Sequence, residues 1–149
     1  MKTNAASILS PVGSNQHSST LSVWQDRGFV AARLALGALL LFAVSNAIFG
    51  FAAQPPSPPA AQTFLGGLFS APYFFALLKG TEFLVAIALL SNRFVPLASV
   101  VLAPITVNIV LFHTVLAPAG APMAVLLFGL QIATMWSHRQ NYRSVLAAK

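Results

Sequence analysis

The chain has 149 residues, of which 57% are hydrophobic and 7% charged, with a mean hydropathy of +0.79 and a formal net charge of +6. Soluble domains carry about 25% charged residues, so this composition excludes one and indicates a polytopic membrane protein. Cysteine is absent, which excludes disulfides, thiolate metal sites, cysteine-ligated iron–sulfur clusters and c-type haem attachment.

Residues 1–27 are rich in Ser, Asn and Gln and carry no long apolar run, so they read as a mobile cytoplasmic tail without a secretory signal peptide. Trp24 and Arg27 mark a membrane–water boundary. A first span follows over 28–51, with Arg33 about one turn inside, where a long side chain can snorkel to the headgroups. The connection 52–71 starts stiffly at Pro55-Pro56-Ser57-Pro58-Pro59 and continues apolar, uncharged and too short to cross. That pattern predicts an interfacial segment or a short re-entrant helix over the outer mouth. A second span covers 72–91 and, after the tight Asn92-Arg93 turn, a third covers 94–117, where Pro104 is expected to kink the helix or loosen a turn. The fourth, 121–138, needs its flanking residues to reach spanning length, and Trp136, His138, Arg139, Tyr142 and Arg143 close it as an aromatic and basic belt. The membrane domain thus extends over 28–143, and 144–149 form a C-terminal tail.

The loop Lys and Arg residues stand in the tail, the Asn92-Arg93 turn and the C-terminus, while 52–71 and 118–122 hold none. The positive-inside rule then predicts an all-α, four-transmembrane-helix bundle with both termini cytoplasmic. The same distribution, at the ends of apolar segments rather than in a stripe, argues against a nucleic-acid partner.

Within the second span Lys79 and Glu82 lie three residues apart, about 60° apart around a helix and one turn along it, so they can pair. An ionisable residue inside a span is a functional candidate by default. Counted from the outer ends of the spans, Asn46 lies about 8–9 Å deep, Lys79 about 10 Å, Glu82 about 15 Å and Asn108 about 13 Å. His113 lies about 6 Å deep and Gln131 about 15 Å. All four spans therefore offer a polar residue to one outer-half layer, the expected ligand-binding candidates being Asn46, Lys79, Glu82, Asn108, His113 and Gln131.

Two readings stay open for each of the strongest candidates. Lys79 and Glu82 either fix helix orientation or act; burial of ions costs more than an Asn–Gln pair would, and if unpaired each would shed its charge and serve as a proton relay. Asn108 is an interhelical hydrogen-bonder or a ligand contact. His113 is a cap or interfacial residue, or a proton acceptor and quinone-headgroup donor. Bis-histidine haem within one chain fails, because His113 and His138 belong to opposite faces about 30 Å apart and His17 to the tail. No acid or histidine cluster has metal-ligand spacing.

Several stretches carry a resemblance: 46–51 (Asn46-Ala47-Ile48-Phe49-Gly50-Phe51), the Pro-rich loop leading to Phe64-Leu65, and Glu82 in the second span. Leu89-Leu90-Ser91-Asn92-Arg93-Phe94-Val95-Pro96-Leu97 and, most specifically, Ala103-Pro104-Ile105-Thr106-Val107-Asn108 through His113 add to them, with Leu116-Ala117-Pro118-Ala119-Gly120 after. Over about 28–143 the chain resembles the DoxX family of small four-helix bacterial membrane proteins. The resemblance implies a multi-pass protein of the cytoplasmic (inner) membrane, and it singles out Asn46, Glu82, Asn108 and His113, while Lys79 is not carried over from it. Some members are subunits of quinone-linked oxidoreductases, so the resemblance implies a quinone or small apolar substrate, with Glu82 and His113 handling protons. Lacking cysteine or an evident metal site, such a chain would draw electrons through a redox partner subunit or bound cofactor, and a homo-oligomer is equally open. The alternative is a non-enzymatic lipid or solute binder, transporter-like, or a scaffold.

Overall fold

Helices this uniformly apolar cannot bury a single stripe and expose the rest to water, because they have no polar face to expose. A computed structural model describes residues 16–53 and 56–146; the remaining parts of the predicted tails and of the connection, 1–15, 54–55 and 147–149, lie outside the described residues, as do the side chains of 16–25 and 143–146. The described residues are helical throughout their ordered elements, with no strand among them. They form α1 (Gln16–Phe49), α2 (Pro59–Phe69), α3 (Phe74–Leu90), α4 (Val95–Leu111), α5 (Ala121–Ser137) and α6 (Arg139–Leu146).

Three segments are long and apolar enough to cross a membrane: Asp26–Phe49, Val95–Leu116 and Pro118–Ser137. A fourth candidate is the pair α2 and α3, bent by 94° at the break between them. α1 packs on α3 and α5, and α4 packs on α5 and α3. The helices enclose a small apolar core that includes Leu36, Leu40, Val85, Leu89, Leu102 and Leu127. The outer surface is apolar too, with Phe42, Leu84, Leu97, Val115 and Val125 among the exposed side chains. Buried polar residues, among them Arg33, Glu82, Ser99, Thr106, Gln131 and Thr134, lie inside. Such a surface far exceeds the apolar patch of a soluble monomer and is compatible with lipid contact.

Local chemistry explains the boundaries. Pro59 stands at the first position of α2, where its missing N–H breaks no helical bond. The α3–α4 turn puts Asn92 (φ 57°) and Phe94 (φ 54°) in the left-handed region, and Arg93 N–H donates to the Ala88 carbonyl at 2.9 Å. Asn tolerates that backbone readily, whereas Phe does so only where the surroundings demand it. Gly37 lets α1 approach α3: a Cβ there would meet Leu90 Cγ at 2.9 Å and the Ala86 carbonyl oxygen at 3.3 Å.

Two local expectations change. The first helix begins at Gln16, inside the segment read as tail, and α6 extends from the domain's predicted end into the C-terminal tail. Pro104 stands inside α4. The departure from regular winding comes later, where Phe112–Leu116 form a π-helical turn closed by Ala117 N–H donating to the Phe112 carbonyl at 3.0 Å.

Candidate functional site

Glu82 lies on the face of α3 that also carries Val85, Ala86 and Leu89, the residues at helical spacing that enter the core. That placement carries its carboxylate inward, where it is 3% exposed. Lys79, one turn nearer the start of α3, donates from Nζ to Glu82 Oε2 at 2.8 Å, and its side chain retains 18% exposure. Among the described residues, no other side chain hydrogen-bonds that carboxylate. A charged pair so placed is chemically able to bind a polar headgroup or to relay a proton if ligand binding separates its partners.

The other predicted residues do not join it. Asn46 is buried, but its Oδ1 accepts the Ala52 N–H at 2.6 Å and so finishes the end of α1. Gln131 lies on the inward face of α5, and its Nε2 donates to the Ser99 carbonyl at 3.1 Å. Ser99 is one turn from the start of α4, so this bond ties α5 to α4 toward the end that carries the α3–α4 turn. The Gln131 Oε1 is buried and has no hydrogen-bond partner among the described residues. Asn108 is exposed on the outside of α4, with no hydrogen bond among the described residues. Among the described residues, no hydrogen bond joins Asn46, Asn108, His113 or Gln131 to the Lys79–Glu82 pair. Helical apolarity on all sides left the facing of each polar residue undetermined by sequence pattern.

His113 occupies the π turn, a distortion that recurs at functional sites. Its Nδ1 lies 2.8 Å from the Ile109 carbonyl oxygen, and its ring stands edge-on to Phe112, 5.1 Å between centroids. The ring also covers Gly120, where an added Cβ would come within 2.6 Å of Nε2. Phe112 meets Phe64 of α2 at 5.7 Å, so the short helix packs against the His113 turn. This is the arrangement in which a short helix covers one end of the bundle.

At the other end is a feature that the sequence reading did not isolate. A cavity of about 360 Å³ is lined by Asp26, Phe29, Val30, Arg33, Asn92, Ser137, His138 and Arg139. Arg33 is 8% exposed and donates from Nη1 to the Leu89 carbonyl at the end of α3. Tyr142 Oη donates to the Pro96 carbonyl at 3.2 Å and ties α6 to the start of α4, and partial burial pushes its phenol pKa up. Arginine at the start of an apolar span was the available signal; its inward direction was not.

No family model matches the chain, and neither a curated protein nor a solved structure does. The arrangement of side chains must therefore carry the functional reading. No group of three or more His, Asp or Glu residues able to hold a metal occurs among the described residues.

Proposed function

We propose that the chain is a DoxX-like integral protein of the bacterial cytoplasmic membrane, with α1, α3, α4 and α5 as its four crossings and both termini cytoplasmic. Arg33, the Asn92-Arg93 turn and His138-Arg139 gather at one end of the helices, which supports a cytoplasmic placement for that end. α3, at 17 residues and about 26 Å, needs only its flanks to reach the ~30 Å hydrocarbon thickness. Labelling from outside the cell tests this orientation: Ser57→Cys is expected to react with an impermeant maleimide and Ser91→Cys to be protected. External labelling of Ser91→Cys would reverse the topology.

Within that frame the chain serves as a membrane accessory subunit of a quinone-linked oxidoreductase, binding a quinone or small apolar substrate near the Lys79–Glu82 pair. The buried ion pair carries this reading, since a neutral amide pair would join helices at lower desolvation cost. Glu82 would accept or release the proton, Lys79 would hold the negative charge when no ligand intervenes, and His113 would supply a second proton-handling group from the covered end. Quinone-analogue binding to the purified protein in lipid is the test. Glu82→Gln is expected to weaken binding about tenfold or more, the scale of losing one hydrogen bond to a charged group. Unchanged binding and unchanged membrane-linked reductase activity in both Glu82→Gln and His113→Ala would sink the redox reading.

One observation favours the alternative of a non-enzymatic binder or scaffold. Asn108 presents an amide on the outside of α4, where an amide facing lipid finds its best partner on another helix. A partner subunit or a second copy would provide one.

A further inference from the structure

The arginine at the inner end of the bundle is a buried cation without a counter-anion. Arg33 is more than nine-tenths buried, yet among the described residues no carboxylate lies within ion-pair distance of it. The sequence holds only two acids: Glu82 is engaged by Lys79, and Asp26 shares the cavity without bridging to Arg33. One carbonyl, that of Leu89, accepts from a single guanidinium nitrogen. A carbonyl dipole does not neutralise a full charge, and a buried guanidinium left so is costly. Arg33 lines the 360 Å³ cavity.

His138, Arg139 and Asn92 also line the cavity, whereas the single Ser137 hydroxyl hydrogen is taken by the Thr134 carbonyl or His138 Nδ1, and Arg139 Nη1 donates to the Trp136 carbonyl at 3.2 Å. Ser137, His138 and Arg139 come from the α5–α6 junction, and Asn92 from the α3–α4 turn. His138 Nδ1 lies 2.7 Å from the Ser137 hydroxyl and 3.1 Å from the Thr134 carbonyl oxygen; in the tautomer that accepts from Ser137, Nε2–H is a donor. Arg139 stands over the exposed Trp136 ring, 5.6 Å from its centroid. Indole rings seat at the headgroup level, and the cytoplasmic leaflet there carries anionic lipid.

We propose that this cavity binds a phosphate group, held by Arg33 and Arg139 and supplied by the headgroup of an anionic phospholipid or by free phosphate. The planar guanidinium fork suits phosphate oxygens, and burial on one wall with exposure on the other suits a headgroup whose chains remain in the membrane. Asp26 is exposed at the rim and weakens the site. The proposal rests on the membrane reading and is independent of the Lys79–Glu82 pair.

Native mass spectrometry of the full chain in mild detergent, loaded with phosphatidylglycerol or phosphatidylcholine, reads lipid retention directly. Phosphatidylglycerol is expected to be retained about tenfold better than phosphatidylcholine, the scale of one charge-assisted hydrogen bond. Arg33→Gln and Arg139→Gln should each abolish most of that preference, Arg33→Lys should restore part of it, and Asp26→Asn should increase it. Arg139 is exposed, so Arg139→Gln tests the site even where Arg33→Gln fails to fold. In a second arm, inorganic phosphate is titrated into the protein in phosphatidylcholine nanodiscs. Binding there that Arg33→Gln removes, without lipid preference in the first arm, assigns the site to free phosphate. Equal retention of both lipids with no phosphate binding, or full preference in both arginine variants, overturns the proposal. Failure of the chain to enter nanodiscs would instead sink the membrane reading. Glu82→Gln is expected to leave lipid retention unchanged.

Discussion

Replacing Glu82 by alanine is expected to destabilise the protein by about 3 kcal/mol, the lower end for one-sided removal from a buried ion pair. The loss arises because Lys79 Nζ, 2.8 Å from Glu82 Oε2, is left with no acceptor to replace the carboxylate. The lower end applies because the lysine side chain is 18% exposed and can swing toward the outer surface. Lys79→Met combined with Glu82→Leu should recover most of the loss and unfold within about 1 kcal/mol of the parent, since apolar residues of similar volume often replace a buried pair at no net cost. Thermal or denaturant unfolding in lipid nanodiscs measures the cycle. The same double variant is expected to lose analogue binding while keeping its fold, which separates a working pair from one that only orients helices. If both stability and binding survive in the double variant, the pair has no part in the proposed function.

The next largest effect is expected at Gly120. His113 lies across this residue, and a methyl group there would overlap the imidazole, with Nε2 2.6 Å from the new carbon. Neither group yields easily: the ring is held by the Ile109 carbonyl and by Phe112, and the glycine belongs to a short 3₁₀ turn before α5. Gly120→Ala should therefore cost about 1–3 kcal/mol through overpacking. In the His113→Ala background the same substitution should cost much less, giving a coupling energy of about 1 kcal/mol or more. If His113 also handles protons, Gly120→Ala should weaken quinone-analogue binding as much as His113→Ala does. Equal and additive stability losses would show that the ring has room that this packing does not give it.

The span positions were legible because chain length in hydrocarbon is a strong constraint, and the predicted 121–138 segment and observed Ala121–Ser137 helix differ by one residue at the end. The short helix after the prolines was legible for the same reason, being apolar yet too short to cross. The Lys79–Glu82 contact followed from spacing alone, because i,i+3 neighbours meet on any α-helix. Facing was not legible. In a segment such as α4, apolar on every side, no polar stripe says which way Asn108 turns, and it turns outward. Depth along one helix did not predict contact across helices either, since Gln131 engages the Ser99 carbonyl of α4 rather than another of the predicted residues. Arg33 shows both limits: its depth was readable, but its inward direction and its Leu89 partner depend on tertiary packing.

The charged pair in α3 is the point on which the functional reading turns. Infrared difference spectroscopy of the protein in lipid, with and without a quinone analogue and with Glu82→Gln as the assignment control, reports that carboxyl group directly. The expected result is a carboxyl band change on analogue addition that disappears in Glu82→Gln and persists in Asp26→Asn. Saturating analogue binding that left the Glu82 band unmoved would contradict a role for the pair at the binding site.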